Sequence, residues 1–293
     1  MTRRESGKRR SSVPPPRLLS DEDQQNLRQA QLDLLAELDR VCAELGLEYF
    51  AFYGTLLGAI RGSGFIPWDD DLDVGMLRPD YDALAAAAER VFADRFFFQD
   101  LRTDPHYGAP FAKLRLHNTT CVDRDSYGTR QHSGIFIDIF PLDVAAAHGR
   151  ARFEQRALRY AGYRLLFLKK NYQLAAGASR LARVVQAIGR RVIRLVPQRA
   201  ILALIDRPSR VARKQDPTAY ISLPGAYPMD REIFPSDWIH PLVRVPFEDT
   251  TIPAPARSEA WLTQVYGDFR TLPPVHERVG KHSIIELEFD TSG

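Results

Sequence analysis

Two hundred and ninety-three residues, 44% of them hydrophobic and 26% charged, are enough for one large domain or two small ones with a real core. Collagen, coiled coil and wholesale disorder are excluded, and no apolar run approaches the roughly 18 to 20 residues of a membrane span. The net charge of +3 hides a segregation: residues 150–214 hold seventeen Lys or Arg against Glu154 and Asp206, and residues 1–17 hold six bases against Glu5, so the remaining body is strongly acidic.

Met1 to Arg17, rich in arginine with Pro14 to Pro16 beside Ser11 and Ser12, lacks the apolar stretch of a secretory signal. It reads as a disordered basic tail, and the chain as a cytoplasmic protein. Ser20 before Asp21, Glu22 and Asp23 predicts a helix N-cap, and Leu27, Ala30, Leu34, Leu38, Val41 and Leu45 recur at helical spacing up to Gly46. A short strand at Tyr49 to Tyr53, a short helix at Leu56 to Arg61, a strand at Leu72 to Leu77 and an Ala-rich helix at Asp80 to Phe92 follow. Strands are predicted at Phe96 to Gln99, Phe111 to Leu116, Thr120 to Asp123 and Ile135 to Phe140. Residues 150–214 read as basic amphipathic helices, and a further helical stretch lies near Ser258 to Tyr266. Cys42 and Cys121 are too few for a disulfide framework or a cysteine zinc site and are expected as buried small hydrophobes.

The most informative stretch is Phe65-Ile66-Pro67-Trp68-Asp69-Asp70-Asp71-Leu72-Asp73-Val74-Gly75, four carboxylates within five residues where an apolar strand begins. Carboxylates so close repel unless a cation lies between them. On a strand, Asp71 and Asp73 would project to one side and share a hard divalent ion. A solvated acidic run is the bland alternative. A calcium loop fails because Val74 stands where the turn glycine is needed and Asp80 where a bidentate Glu is needed. A metal-dependent phosphoryl or nucleotidyl transfer site remains. Gly54, after a strand and before a helix, would let backbone approach a phosphate. Asp138 interrupts the apolar run Ile135 to Phe140 and needs a partner, either a metal site on the neighbouring strand or an Arg or backbone N–H. His132 and His282 lie near these segments, with a structural role for each the simpler account.

Tyr53-Gly54-Thr55-Leu56-Leu57-Gly58-Ala59-Ile60-Arg61, the acidic run, Ile137-Asp138-Ile139-Phe140-Pro141-Leu142-Asp143, and Tyr266-Gly267-Asp268-Phe269 with Leu272-Pro273-Pro274 together resemble the LicD family of phosphotransferases. The resemblance implies an α+β fold, a nucleotidyltransferase-like mixed β-sheet flanked by helices. Composition sets apart a disordered tail (1–17) and a basic helical insertion (150–214), to which the resemblance does not extend; the resemblance makes residues 18–149 a catalytic core and 215–293 a C-terminal part of the catalytic domain. It implies transfer of a phospho-alcohol, phosphocholine or an alditol phosphate, from a CDP-activated donor to a glycan or lipid-linked glycan hydroxyl, with release of CMP. Asp71 and Asp73 would then ligate Mg²⁺ or Mn²⁺, and Asp138 would be a further ligand or the base. Gly54 and Thr55 would form a phosphate turn, Arg61 would brace the acids or bind phosphate, and Lys113 and Arg115 would meet the donor phosphates. An Asp-x-Asp glycosyltransferase using a nucleotide sugar and a non-catalytic membrane-associated scaffold are the rivals. The basic segment is either a solvated surface or an interfacial helix pair meeting an anionic membrane at its inner face; no nucleic-acid motif is visible.

Overall fold

The computed structural model describes residues 13–92, 94–170, 172, 180–212, 217–278, 280 and 283–289. Helix α1 (Asp21–Leu45) starts at Ser20, whose hydroxyl accepts from the Asp23 amide while the Asp23 carboxylate accepts from the Ser20 amide, and it ends at Gly46 with φ 65°. Its apolar stripe, including Leu27, Leu34, Leu38 and Val41, is buried. The two-residue strand β1 (Phe50–Ala51) leads directly into α2 (Tyr53–Gly62), then β2 (Asp73–Leu77), α3 (Arg78–Val91), β3 (Phe96–Gln99), β4 (Ala112–Leu116), β5 (Thr120–Asp123) and β6 (Phe136–Val144).

Strand β6 is the axis of a seven-stranded mixed sheet. It pairs in parallel with β2 on one edge, and β2 pairs with β1. Its other edge is shared, with β4 along Phe136 to Ile139 and β7 (Ala219–Ser222) along Leu142 to Val144. Beyond them lie β3, against β4, and β8 (Ile233–Pro235), against β7. Eight of the nine β6 residues are buried, as a strand covered on both faces must be. Pro141 survives in this central strand for a local reason. The Asp138 amide bonds toward β2, to the Leu72 carbonyl, so alternation points the missing Pro141 donor to the opposite edge, into the gap between β4 and β7. Asp143, fully buried, is satisfied by a bidentate Arg78 at 2.7 and 2.8 Å. The expected strand end at Phe140 is therefore four residues short.

Between β6 and β7 the chain makes α4 (Gly149–Ala157), a π-helical turn (Leu158–Gly162), α5 (Tyr163–Lys169), α6 (Arg180–Arg194) and α7 (Gln198–Ala212), the expected helical insertion. After β8 come the β9–β10 hairpin (Val243–Phe247, Thr250–Ala254), α8 (Ser258–Tyr266) and β11 (Ile284–Glu288), which pairs with β5. Trp261 of α8 is buried, stacked 3.6 Å from Phe234 and edge-on to Phe50 and Phe52. Residues 1–12 of the expected tail lie outside the described residues. Arg17 is not part of a disordered tail: its amide donates to the Ile284 carbonyl, and its guanidinium bonds the Leu287 carbonyl and Asp23. Among the described residues no helix is long and apolar enough to cross a membrane. Cys42 and Cys121 are both free and buried, as expected, and burial pushes the Cys121 thiol up to about 12.

Candidate active site

One polar row crosses four strands. Asp73, the first residue of β2, pairs in register with Asp138 of β6, Asp138 with Lys113 of β4, and Lys113 with Gln99 of β3. Register partners share a sheet face about 4.8 Å apart, so two carboxylates, an ammonium and an amide stand side by side. They are buried, with Asp73 7%, Asp138 3% and Lys113 6% exposed. Lys113 Nζ donates to Asp138 Oδ1 at 2.5 Å and sits 3.3 Å from the centre of the Phe136 ring. The ion pair and the ring offset the several kcal/mol of desolvating an ammonium. Lys113 thus faces a carboxylate of the site. Arg115 is a correction: 1% exposed, its guanidinium bonds Gln99 and the Gly134 carbonyl, so it ties β4 to its surroundings and is not presented to a donor phosphate.

Asp71 lies before β2 and not on it, so strand alternation does not place it with Asp73. It converges instead with Asp69 and Asp70, each of the three offering an oxygen within 4.8 Å of the others, at intermediate burial. The loop that carries them is held from α1: Gln31 donates to the Asp70 carbonyl at 3.0 Å, and Arg28 to the Pro67 carbonyl at 2.7 Å. Thr55 Oγ1 accepts from the Asp73 amide at 2.7 Å, locking the start of β2 to α2. Gly54 and Thr55 form the first turn of α2 and not a loop, because the helix begins three residues before its predicted start. A Cβ at Gly54 would lie 2.5 Å from Asp69 Oδ2, so only glycine lets this carboxylate reach the helix N-terminus. Phe52 at the N-cap supplies no side-chain hydrogen bond to that terminus.

Tyr266, the first residue of a quoted motif, is close enough to both acidic groups to feel their charge. Burial, the neighbouring Tyr227, and the charges of Asp73 and Asp69 all push the Tyr266 phenol well above its ordinary value, so one ring reports both the sheet row and the loop. Arg61 donates to the Phe269 carbonyl at 3.2 Å. Burial and Arg278 lower its pKa, while Tyr266 and Asp69 oppose them. Trp68, Asp69, Asp70, Arg28 and Arg278 line a cleft of about 380 Å³, within the range of ligand sites. The cations near the acidic loop are therefore Arg28, Arg61 and Arg278, while Lys113 serves Asp138 in the sheet.

Tyr53 enters α2 with φ 36°, a backbone region costly to a residue with a Cβ. Its hydroxyl donates to Glu232 at 2.6 Å, and its ring packs on Phe140 and Tyr227. Glu232 is fully buried, and burial raises its pKa against the opposing bonds from Tyr53, the Tyr227 amide and Arg159. A Cβ at Gly225 would meet both Glu232 Oε1 and the Tyr53 hydroxyl at 2.1 Å. Only Tyr53 carried a signal, as the first residue of a quoted motif. His132 accepts from the Gly134 amide at Nδ1, so its Nε2 carries the proton and donates to His117 Nδ1 at 3.0 Å, a structural role; His282 lies outside the described residues.

Comparison with known proteins places the geometry in a family. Residues 46–153, which include β1 to β6 and all five aspartates of the site, match the family model described as LicD/FKTN/FKRP, nucleotidyltransferase domain. The chain is 26% identical over 268 residues, 87% of its length and 96% of the relative's, to the lipopolysaccharide cholinephosphotransferase LicD of Haemophilus influenzae. Uncharacterized proteins of Rickettsia prowazekii and Rickettsia typhi are each 40% identical over 47 residues, 16% of this chain and 18% and 15% of theirs. Domain match and near full-length relative agree with the motifs and the acidic site they build: residues 46–153 match the LicD-type domain, and most of the chain is similar to a LicD phosphotransferase.

Proposed function

We propose that this phosphotransferase moves a phospho-alcohol, of the phosphocholine or alditol phosphate kind, from a CDP-activated donor to a glycan hydroxyl and releases CMP. The named activity of the Haemophilus relative supports transfer to a lipopolysaccharide glycan, and the domain description supports a nucleotidyltransferase-type fold. The observation that carries the reading is the convergence of Asp69, Asp70 and Asp71 at the N-terminus of α2, with Asp73 and Asp138 paired in register behind them.

An all-oxygen donor set of closely spaced carboxylates fits Mg²⁺ or Mn²⁺. Asp69, Asp70 and Asp71 would hold the ion, with Asp73 completing the set. When bound, it neutralises phosphate oxygens of the donor diphosphate. The chain's own residues do the remaining work. The N-terminal turn of α2 at Gly54 and Thr55 and the guanidinium groups of Arg61 and Arg278 orient the diphosphate and absorb its developing charge. Asp138, positioned by Lys113, takes the acceptor proton. The acceptor oxygen bonds to the phosphorus that carries the alcohol, the bond from that phosphorus to the bridging oxygen breaks, and CMP leaves with the electron pair.

The test is CMP release from CDP-choline, CDP-ethanolamine and CDP-ribitol with lipopolysaccharide as acceptor and Mg²⁺ or Mn²⁺ added. Acceptor-dependent CMP release that a chelator abolishes is the expected result. Release of UDP or GDP from a nucleotide sugar in its place, or activity unaffected by chelation, overturns it.

A further inference from the structure

The helical insertion exposes what the rest of the molecule buries. Of the twelve large hydrophobic side chains exposed among the described residues, eight lie between Phe153 and Leu204, including Phe153 at 71% and Leu195 at 85%. They are not scattered. Phe153, Ala157, Ala161 and Leu165 follow one another at helical spacing along α4, the π-turn and α5, and with Leu204 of α7 they line an open apolar groove of about 250 Å³. Ile188 and Val192 of α6 and Leu195 just past its end recur at i, i+4 and i+7, all exposed. A surface helix normally turns such a stripe to the core, and here the buried side already exists: Leu166, Ile193 and Ile201 form it.

The charge around the groove identifies what covers it. Arg150, Arg156, Arg164 and Arg207 are exposed beside it. Of the two acids in the segment, Glu154 is engaged by Arg150 and Arg207. A second copy apposed groove to groove would meet the patch with like charge. A bilayer with anionic headgroups supplies phosphates for the arginines and an apolar boundary for the exposed rings and aliphatic side chains. It also repels the acidic body, which turns the basic helices toward the surface.

We propose that α4, α5 and α7 dock this protein on an anionic lipid bilayer, with Phe153, Leu165 and Leu204 entering the headgroup boundary and Arg156 and Arg164 on lipid phosphates. No helix here spans a membrane, so the association is peripheral. It rests on surface chemistry alone and is independent of the reaction proposed above.

The experiment is sedimentation of the full chain with vesicles of phosphatidylcholine mixed with phosphatidylglycerol, against phosphatidylcholine alone, with catalysis not read. The wild type is expected to sediment with the anionic vesicles, to stay in solution with the neutral ones, and to be released by salt. Arg156→Ala and Arg164→Ala should each weaken partitioning about fivefold, and the triple variant Phe153→Asp, Leu165→Asp, Leu204→Asp at least about tenfold, with unchanged circular dichroism and thermal midpoint. Three results overturn the proposal: equal binding to both vesicle types, unimpaired binding by the triple variant, or no vesicle binding. In the last case, a wild-type dimer in light scattering that the triple variant dissolves would assign the groove to a second copy.

Discussion

In the sheet, Asp73, Asp138 and Lys113 are charged side chains almost out of water; in the insertion, Phe153 and Leu195 are apolar side chains almost wholly in it. Both regions invert the ordinary distribution of residues, and each inversion has a physical cost that something must offset. The sheet meets part of that cost internally, through the Lys113–Asp138 pair and the Phe136 ring. The insertion does not, because its apolar stripe and arginines such as Arg156 and Arg164 both face outward. A buried charge held inside a fold suits chemistry on a small ligand; uncovered apolar surface beside a surplus of bases suits meeting a large one.

Substitutions break this comparison in order of size. Asp71→Asn and Asp73→Asn should each lower CMP release by about 10²-fold or more, with Asp71→Asn leaving the unfolding midpoint nearly unchanged because its side chain is only half-buried. Wild-type turnover in either would detach the acids from the chemistry. Lys113→Met removes the buried ion pair of Asp138 and should destabilise the fold by about 3–5 kcal/mol in urea unfolding. Adding Asp138→Leu should restore much of that stability without restoring activity, which separates the row's structural role from its catalytic one. Tyr53→Phe takes a hydrogen bond from buried Glu232 and should cost about 1–3 kcal/mol, more than a single change at the exposed stripe of the insertion.

The pH dependence sharpens the contrast. Burial first, then Arg115 and His117, depress His132 from its ordinary 6.5 to about 4. The unfolded chain therefore binds a proton at His132 that the native state refuses between these values, and stability falls as pH drops through that window. With the site partly exposed, the loss is of order 1 kcal/mol. It should be visible as a fall in thermal midpoint between pH 6.5 and 4 that His132→Asn reduces. Smallest of all, Arg156→Ala and Leu204→Asp should change stability by no more than about 0.5 kcal/mol while changing vesicle binding.

Elements that announce themselves locally were legible in the sequence. The Ser20 cap and Gly46 bound α1, and the predicted spans of β3, β5 and α8 match the structure. Where a distant residue decides, the sequence was mute. Pro141 and Asp143 look like the end of a strand until the gap between β4 and β7 accommodates one and Arg78, 65 residues away, neutralises the other. The left-handed Tyr53 starts α2 early and is anchored by Glu232, 179 residues on. The short strands β7 to β11 carry too little pattern to read singly. Of the site, the aspartates were visible as a run, but their grouping was not, because it depends on Asp71 leaving the strand.

The most direct trial of the account is Mn²⁺ binding followed by loss of the free-ion electron paramagnetic resonance signal. The wild type should take up Mn²⁺, Mg²⁺ should displace it, and the triple variant Asp69→Asn, Asp70→Asn, Asp71→Asn should leave the signal of free Mn²⁺ intact. Equal uptake by the triple variant, or no uptake by a correctly folded wild type, would contradict the assignment of these carboxylates as the metal site.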